Sequence, residues 1–459
     1  MKYIVFGTGN YCSKYLSYID SDKIICFVDN DERKIGGEIK GKTICSVKSI
    51  LKADYDYIIV LVRDCTAIVE QLLQLKVSPE KIIPYNKLYD IVPIQQRLIA
   101  KNNECSVSQW IEKRGGRKVF ICCHDFSRSG VPVASMNLAL LLKKMNFQVL
   151  VAAVGNGTLE EELRENNIDF ISDIEGLYAS ERFMEQLKGF DIIILGTIAI
   201  VEVGRSLSKL NLPILWWIHE SDEKFYKNIV LPKNRGNIHY YGGGKRVLER
   251  FHHCFPSELM KELLYFLPDI QITSHDFSGQ RIFAIIGMVC KRKAQDILIS
   301  AIKELSDDVR KKCVFYFIGV SENENKKMIE NACQEFEQIR YVYEMNQKDL
   351  AEFYQKVNVL VCPSRDDPMP IVVTQALQNG IPCIVSSQVG QCEYINAIGG
   401  GSVFPSEDAI ALKQQINKYA LCSTEELEKC SKNAELIFDL YFSEKLMRNN
   451  VENIFSELL

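Results

Sequence analysis

Two polar residues, Asp367 and Gln375, stand with seven residues between them in the stretch VNVLVCPSRDDPMPIVVTQALQNGIPCIVSSQVGQCE, which runs from Val357 to Glu393. A loop acid and a helix amide at that spacing can both hydrogen-bond the hydroxyls of a sugar. Between them, Pro370 suits the first turn of a helix, where its missing N–H leaves no hydrogen bond unmade. The start of that helix offers free backbone N–H groups and the positive end of a dipole, a seat for a phosphate beside the sugar. Further upstream, Lys291, Arg292 and Lys293 follow Gly287. A lysine ammonium is a point charge suited to phosphate, although such a run is also what a solvated turn looks like.

The elements that must hold these groups are legible around them. The mostly apolar run from Val357 to Cys362 predicts a strand, broken at Pro363 and Ser364. Ile371 to Leu377 predicts a largely buried helix, stopped by Asn379-Gly380 and Pro382. Ile381 to Val385 predicts the next strand, so the unit is a parallel βαβ, which binds ligands at the carboxyl ends of its strands. Arg281 to Met288 predicts another strand, leading through the cationic run into a helix from Asp296 to Glu304. In the first half, the strand Ile214 to Ile218 delivers His219 and Glu220 at its carboxyl end, and the strand Val119 to Cys123 leads into a loop containing Ser129-Gly130-Val131-Pro132. After Glu393 the chain reads mostly as helices.

The segment with Asp367 and Gln375, followed by Ala376, resembles the donor-binding segment of glycosyltransferase family 4. These are retaining enzymes of the GT-B fold with the signature E-x7-E followed by Ala. Gly287 with Lys293 resembles the family's second donor motif, a glycine followed six residues later by a lysine and then, usually, a glycine. Spacing is kept and chemistry altered: Asp367 and Gln375 replace the two glutamates, Ala294 replaces the second glycine, and Met288 replaces an arginine common after Gly287, with Arg292 as a compensating cation.

The resemblance covers residues 117 to 459 and implies an α/β GT-B fold of two Rossmann-like domains. The acceptor-side domain would span 117–279 and the nucleotide-sugar-binding domain 280–459, with a last helix from about Phe442 crossing back. It implies that Asp367 and His219 face the transferred sugar, that Lys293 grips the diphosphate, and that Gln375 meets the ribose. Gly130, Arg292, Met369, Pro370 and Ile371 complete the donor site, Gly130 in the loop beneath the phosphates. Glu220 would position an acceptor hydroxyl or form a surface salt bridge. The expected activity is transfer of a sugar from a nucleotide sugar to a glycan or lipid-linked acceptor, with retention, in polysaccharide or glycoconjugate assembly. No cofactor and no metal is expected. A second reading, prompted by the charge lost at Gln375, is a catalytically impaired partner or chaperone subunit of an active glycosyltransferase.

Residues 1 to 95 predict a separate small Rossmann-like unit. Gly7-Thr8-Gly9 and the acid Asp29 at the end of a second strand match the dinucleotide arrangement, but Cys12 stands where a third glycine belongs. The unit resembles accessory modules at the front of sugar-modifying enzymes, and it could bind a nucleotide or acyl-sugar, or be structural or oligomerising. An NAD-dependent oxidoreductase would need a hydride-transfer constellation that the sequence does not offer. Residues 96 to 116 predict a helical linker ending in Gly115-Gly116. With 55 basic and 59 acidic residues among 459, the net charge of −4 gives no reason to expect nucleic acid. The start is a buried-strand pattern rather than a signal peptide, and no apolar run approaches the roughly 20 residues that span a bilayer. A cytoplasmic protein is expected, compatible with peripheral attachment to a membrane. The 16 cysteines include no C-x-x-C, so reduced core thiols are expected rather than disulfides or zinc ligands.

Overall fold

The computed structural model describes residues 1–94, 98–100, 103–270, 277, 279–321 and 323–459. Three sheets organise the described residues. The first, within residues 1–94, has six strands in the order Glu38–Ile39, Lys42–Cys45, Ile24–Val28, Tyr3–Phe6, Tyr57–Val60, Ile82–Pro84. Alternation sets its two faces: Tyr3 and Val5 enter one core while Ile4 and Phe6 enter the other. This unit docks on the next domain through polar contacts. Glu175 accepts from Tyr11, Lys14 (2.6 Å) and Tyr15 (3.1 Å), and Ser180 donates to Asp90 at 2.7 Å.

The second sheet has nine strands, with Lys118–Cys123 between Gln148–Ala153 and Ile192–Leu195. Ile192–Leu195 is followed outward by Ile214–Ile218, Ile238–Gly242 and Met260–Glu262, all parallel. Its other edge corrects the helical-linker expectation. Leu98–Ala100 pairs antiparallel with both Asn103–Cys105 and the strand Asp169–Ile171, and among the described residues of 96–116 only Val107–Glu112 is helical; 96, 97, 101 and 102 lie outside the described residues. Open backbone groups at a sheet edge recruit a strand whatever the local helical preference. A second correction concerns Gly130-Val131-Pro132, expected in a loop: they open the helix Gly130–Lys144, with Pro132 in its first turn.

The third sheet orders six parallel strands as Ile339–Val342, Cys313–Ile318, Arg281–Ile286, Val359–Cys362, Cys383–Ser386, Gly401–Phe404. The last was missed in the reading of the C-terminal part as mostly helical. These two sheets turn their carboxyl ends toward a common cleft, giving a GT-B architecture. The final helix, Glu444–Leu458, crosses back as expected. Glu444 meets Lys144 at 2.7 Å, Glu457 meets Lys261 at 3.1 Å, and Phe455 stands edge-on to Phe147 with ring centroids 5.2 Å apart. One apolar core accordingly runs through both domains. Phe455→Ala is expected to lower stability by about 3–5 kcal/mol, the usual loss for a buried phenylalanine, measured as the unfolding midpoint in urea. No helix among the described residues is long and apolar enough to cross a membrane, and the cysteines are free thiols.

Candidate active site

The loop after Val359–Cys362 enters the cleft with Asp367 nearly sealed, 6% exposed. A buried carboxylate needs a cation and hydrogen bonds, and the neighbouring loop supplies both. Lys293 Nζ lies 2.6 Å and Arg292 Nη1 3.1 Å from Asp367 Oδ2. Lys293 runs beside Gly287, where a Cβ would lie 3.6 Å from Lys293 Cε. Arg365 staples the two loops together, forking onto Asp296 at 2.6 and 3.0 Å and reaching Glu407 at 2.6 Å. The helix Ile371–Gln378 begins directly after Pro370, which is its N-cap in extended backbone (φ −63°, ψ 125°) rather than a member of its first turn.

The replacement of glycine by Ala294 has a visible consequence. Ala294 has φ 57° and ψ 41°, a left-handed conformation that explains why glycine suits the position. An L-residue there carries about 1–2 kcal/mol of strain, against about 0.4–1 kcal/mol of chain entropy that glycine would add to the unfolded state. Ala294→Gly is therefore expected to be neutral to stabilising by up to about 1.6 kcal/mol, whereas glycine at an ordinary helical position destabilises. Equilibrium unfolding decides the sign.

Across the cleft, His219 and Glu220 leave the strand Ile214–Ile218. The ring of His219 lies 4.4 Å from that of Trp217, and Gly243 is packed so closely that a Cβ there would lie 2.8 Å from His219 Nδ1. Burial holds the imidazole pKa down, to about 3. It is therefore neutral at physiological pH, and its Nε2 has no hydrogen-bond partner among the described residues. In the unfolded chain it titrates near 6.5. The unfolded state thus binds the extra proton between about pH 6.5 and 3, and stability falls as pH falls through that window. His219→Gln is expected to flatten that part of a stability–pH profile.

Glu220 is anchored rather than free. Thr197 donates to Oε1, and Ile198 N and His219 N donate to Oε2 at 3.3 and 3.2 Å. It forms no surface salt bridge among the described contacts, and it lines the cleft. That cleft, about 420 Å³, gathers Gly130, His219, Glu220, Arg292, Asp367, Met369 and Ile371. Lys293 joins it through Asp367, and Pro370 caps the helix behind Met369. Gln375 is not among the lining residues; it accepts from the buried hydroxyl of Tyr354 at 3.1 Å.

Several residues here escaped the sequence reading. His124, Phe225 and Tyr265 line the same cleft. Gly244 faces Met369, leaving 2.7 Å for a Cβ against its Cε. Lys245, next after Gly244, pairs with Glu393 at 2.7 Å on the surface. In the first domain, Asp29 is engaged by Thr8, Asp31 N and Lys34. A cavity of about 320 Å³ opens beside Gly7-Thr8-Gly9.

The family described as "Glycosyl transferases group 1" matches residues 269–436, and "Glycosyl-transferase family 4" matches 115–235. Residues 1–83 match a separate family, "C2185-like, N-terminal". No curated protein matches the chain significantly. Among solved structures, Anabaena HepE in complex with UDP and glucose superposes with a TM-score of 0.63 at 15% identity, covering 75% of this chain and all of that one. HepE has also been solved with UDP-glucose. A glycosyltransferase from Rickettsia africae gives 0.60 at 18% identity, over 75% of this chain and 99% of that one. The sucrose-phosphate synthase of Thermosynechococcus elongatus gives 0.56 at 15%, also over 75% and 99%. At such identities the likeness is one of fold.

Proposed function

We propose that this chain, whose two halves match "Glycosyl-transferase family 4" and "Glycosyl transferases group 1" on a GT-B fold, transfers a hexose from a nucleotide-sugar donor, with retention of anomeric configuration, to a glycan or lipid-linked acceptor. The observation that carries the donor site is the cluster of Lys293 and Arg292 on the buried Asp367 at the mouth of the helix Ile371–Gln378. In this reading the donor diphosphate takes over the two cations and the N–H groups at the helix start. Asp367, released from them, accepts from hydroxyls of the transferred sugar. Negative charge developing on the leaving diphosphate meets groups already in place, which is worth more than groups that must reorganise.

His219, neutral at working pH, offers a hydrogen bond to the sugar rather than taking a proton as a general base. The acceptor hydroxyl enters beside Glu220 and Phe225 and attacks from the face the leaving group departs: the anomeric C–O bond to the diphosphate breaks as the glycosidic bond forms, and the hydroxyl proton passes to the departing phosphate oxygen. Lys293, Arg292 and the helix dipole supply the positive charge, so we expect activity to survive EDTA. A protein acting at the cytoplasmic face of a membrane suits a lipid-linked acceptor.

The test is a thermal-shift titration with UDP, GDP, CDP, dTDP, ADP and NAD. A ligand at 100 times its dissociation constant stabilises its domain by about 2.7 kcal/mol. A shift with one nucleoside diphosphate supports the donor site and identifies the base. A shift with NAD alone moves the ligand to the cavity beside Gly7-Thr8-Gly9. No shift at all favours the second reading, an impaired partner of an active enzyme, for which the neutral Gln375 bound to Tyr354 is the specific observation.

A further inference from the structure

Arg246 stands on the helix Lys245–Cys254 of the acceptor-side domain, yet both of its terminal nitrogens are used in the other domain. Nη1 donates to Gln388 Oε1 at 2.7 Å and Nη2 to Asp366 Oδ1 at 2.8 Å. Its Nε is buried with no partner among the described residues, while the side chain as a whole stays 28% exposed, so the guanidinium is partly withdrawn from water for these two contacts. The approach depends on the preceding turn, because a side chain at Gly244 would collide with Met369. Both loops that Arg246 grips bear on Asp367. Asp367 N donates to Gln388 O at 3.1 Å, and Gly390 N donates to Asp367 O at 3.0 Å.

We propose that Arg246 is a positioning residue of the donor loop: from the opposite domain it clamps Asp366 and Gln388, and so sets where Asp367 stands relative to Lys293. This rests on the donor-site reading above. Asp367 is then held from two sides, by Lys293 and Arg292 within its own domain and by a cross-domain fork through its neighbours. The donor loop is complete only when the two domains are together. A lysine cannot replace the fork, since an ammonium does not match two acceptors in fixed planar geometry.

The test begins without ligand. Hydrogen exchange on the full chain is compared for wild type, Arg246→Ala, Arg246→Lys and Asp366→Asn. In Arg246→Ala, peptides covering 364–370 and 386–391 are expected to exchange about tenfold faster or more, as loss of two charge-assisted bonds implies. The strand Arg281–Ile286 is expected to be unchanged. Arg246→Lys restores part of the protection, and Asp366→Asn combined with Arg246→Ala adds little to either alone. For the nucleoside diphosphate that shifts wild type, affinity stays within about threefold while kcat falls about 10–100-fold, the scale set by a misplacement near 1 Å. Unchanged exchange in the two loops, faster exchange throughout both domains, or affinity falling as far as kcat would each overturn the proposal. If no nucleotide binds even wild type, the donor reading fails while the exchange result still decides the clamp.

Discussion

Lys293→Ala is expected to lower affinity for the donor nucleoside diphosphate by about 10–150-fold, the equivalent of the 1.5–3 kcal/mol that one hydrogen bond to a charged group contributes. Two effects combine in it. The diphosphate loses its least exposed cation, since Lys293 is 15% exposed against 47% for Arg292. Asp367, 6% exposed, is left with Arg292 alone, and a buried carboxylate short of a partner is strongly destabilising. The free protein should therefore unfold at lower temperature, and the nucleotide should restore less of the difference. In turnover, removing one preorganised donor from a developing oxyanion lowers kcat by about 100–1,000-fold. Lys293→Arg keeps the charge but must thread a longer, planar group past Gly287, so it should recover part of the binding and little of the rate. Isothermal titration with the nucleotide found in the thermal-shift panel measures the first effect. An unchanged dissociation constant in Lys293→Ala would move the diphosphate elsewhere.

What the sequence made visible, and what it hid, divides along sequence separation. The strands at Ile24–Val28, Lys118–Cys123 and Cys313–Ile318 are, apart from Lys118, continuous apolar runs because parallel strands are covered on both faces, and such runs are read locally. Asp367 and Lys293 were found because each sits in a short motif with its own loop and helix. Arg246 carried no such signal: its partners lie 120 and 142 residues away, so nothing nearby distinguishes it from a solvated arginine. The same holds for Gly243 and Gly244, which look like an ordinary turn until His219 and Met369 are set against them. The strands Leu98–Ala100 and Asn103–Cys105 were misread because a sheet edge, not local preference, makes them extended. Gln375 was placed by resemblance at the ribose; that its amide oxygen accepts from Tyr354, 21 residues back, is a contact that spacing alone cannot reveal.

Gly390→Ala is expected to be the most damaging single methyl group in the donor domain. A Cβ at Gly390 would lie 1.6 Å from the carbonyl oxygen of Pro368 and 2.7 Å from its carbon. Both are backbone atoms, so no side-chain rotation relieves the clash. The loops must part by more than an ångström, breaking Asp367 N to Gln388 O and Gly390 N to Asp367 O. Asp367 would then leave the 2.6 Å contact with Lys293. A misplacement near 1 Å costs about 100-fold in rate, and overpacking adds about 1–3 kcal/mol of destabilisation. Gly9→Ala is the matching control, because a Cβ there meets nothing within 4 Å and its φ of −94° suits alanine. If the two variants turn over donor equally, the 364–370 loop has freedom to shift without consequence, and the tight seat assigned to Asp367 is not what activity depends on. If Gly390→Ala alone fails while its first domain and acceptor-side domain stay folded by hydrogen exchange, the defect lies in how two loops of one sheet meet beneath the donor.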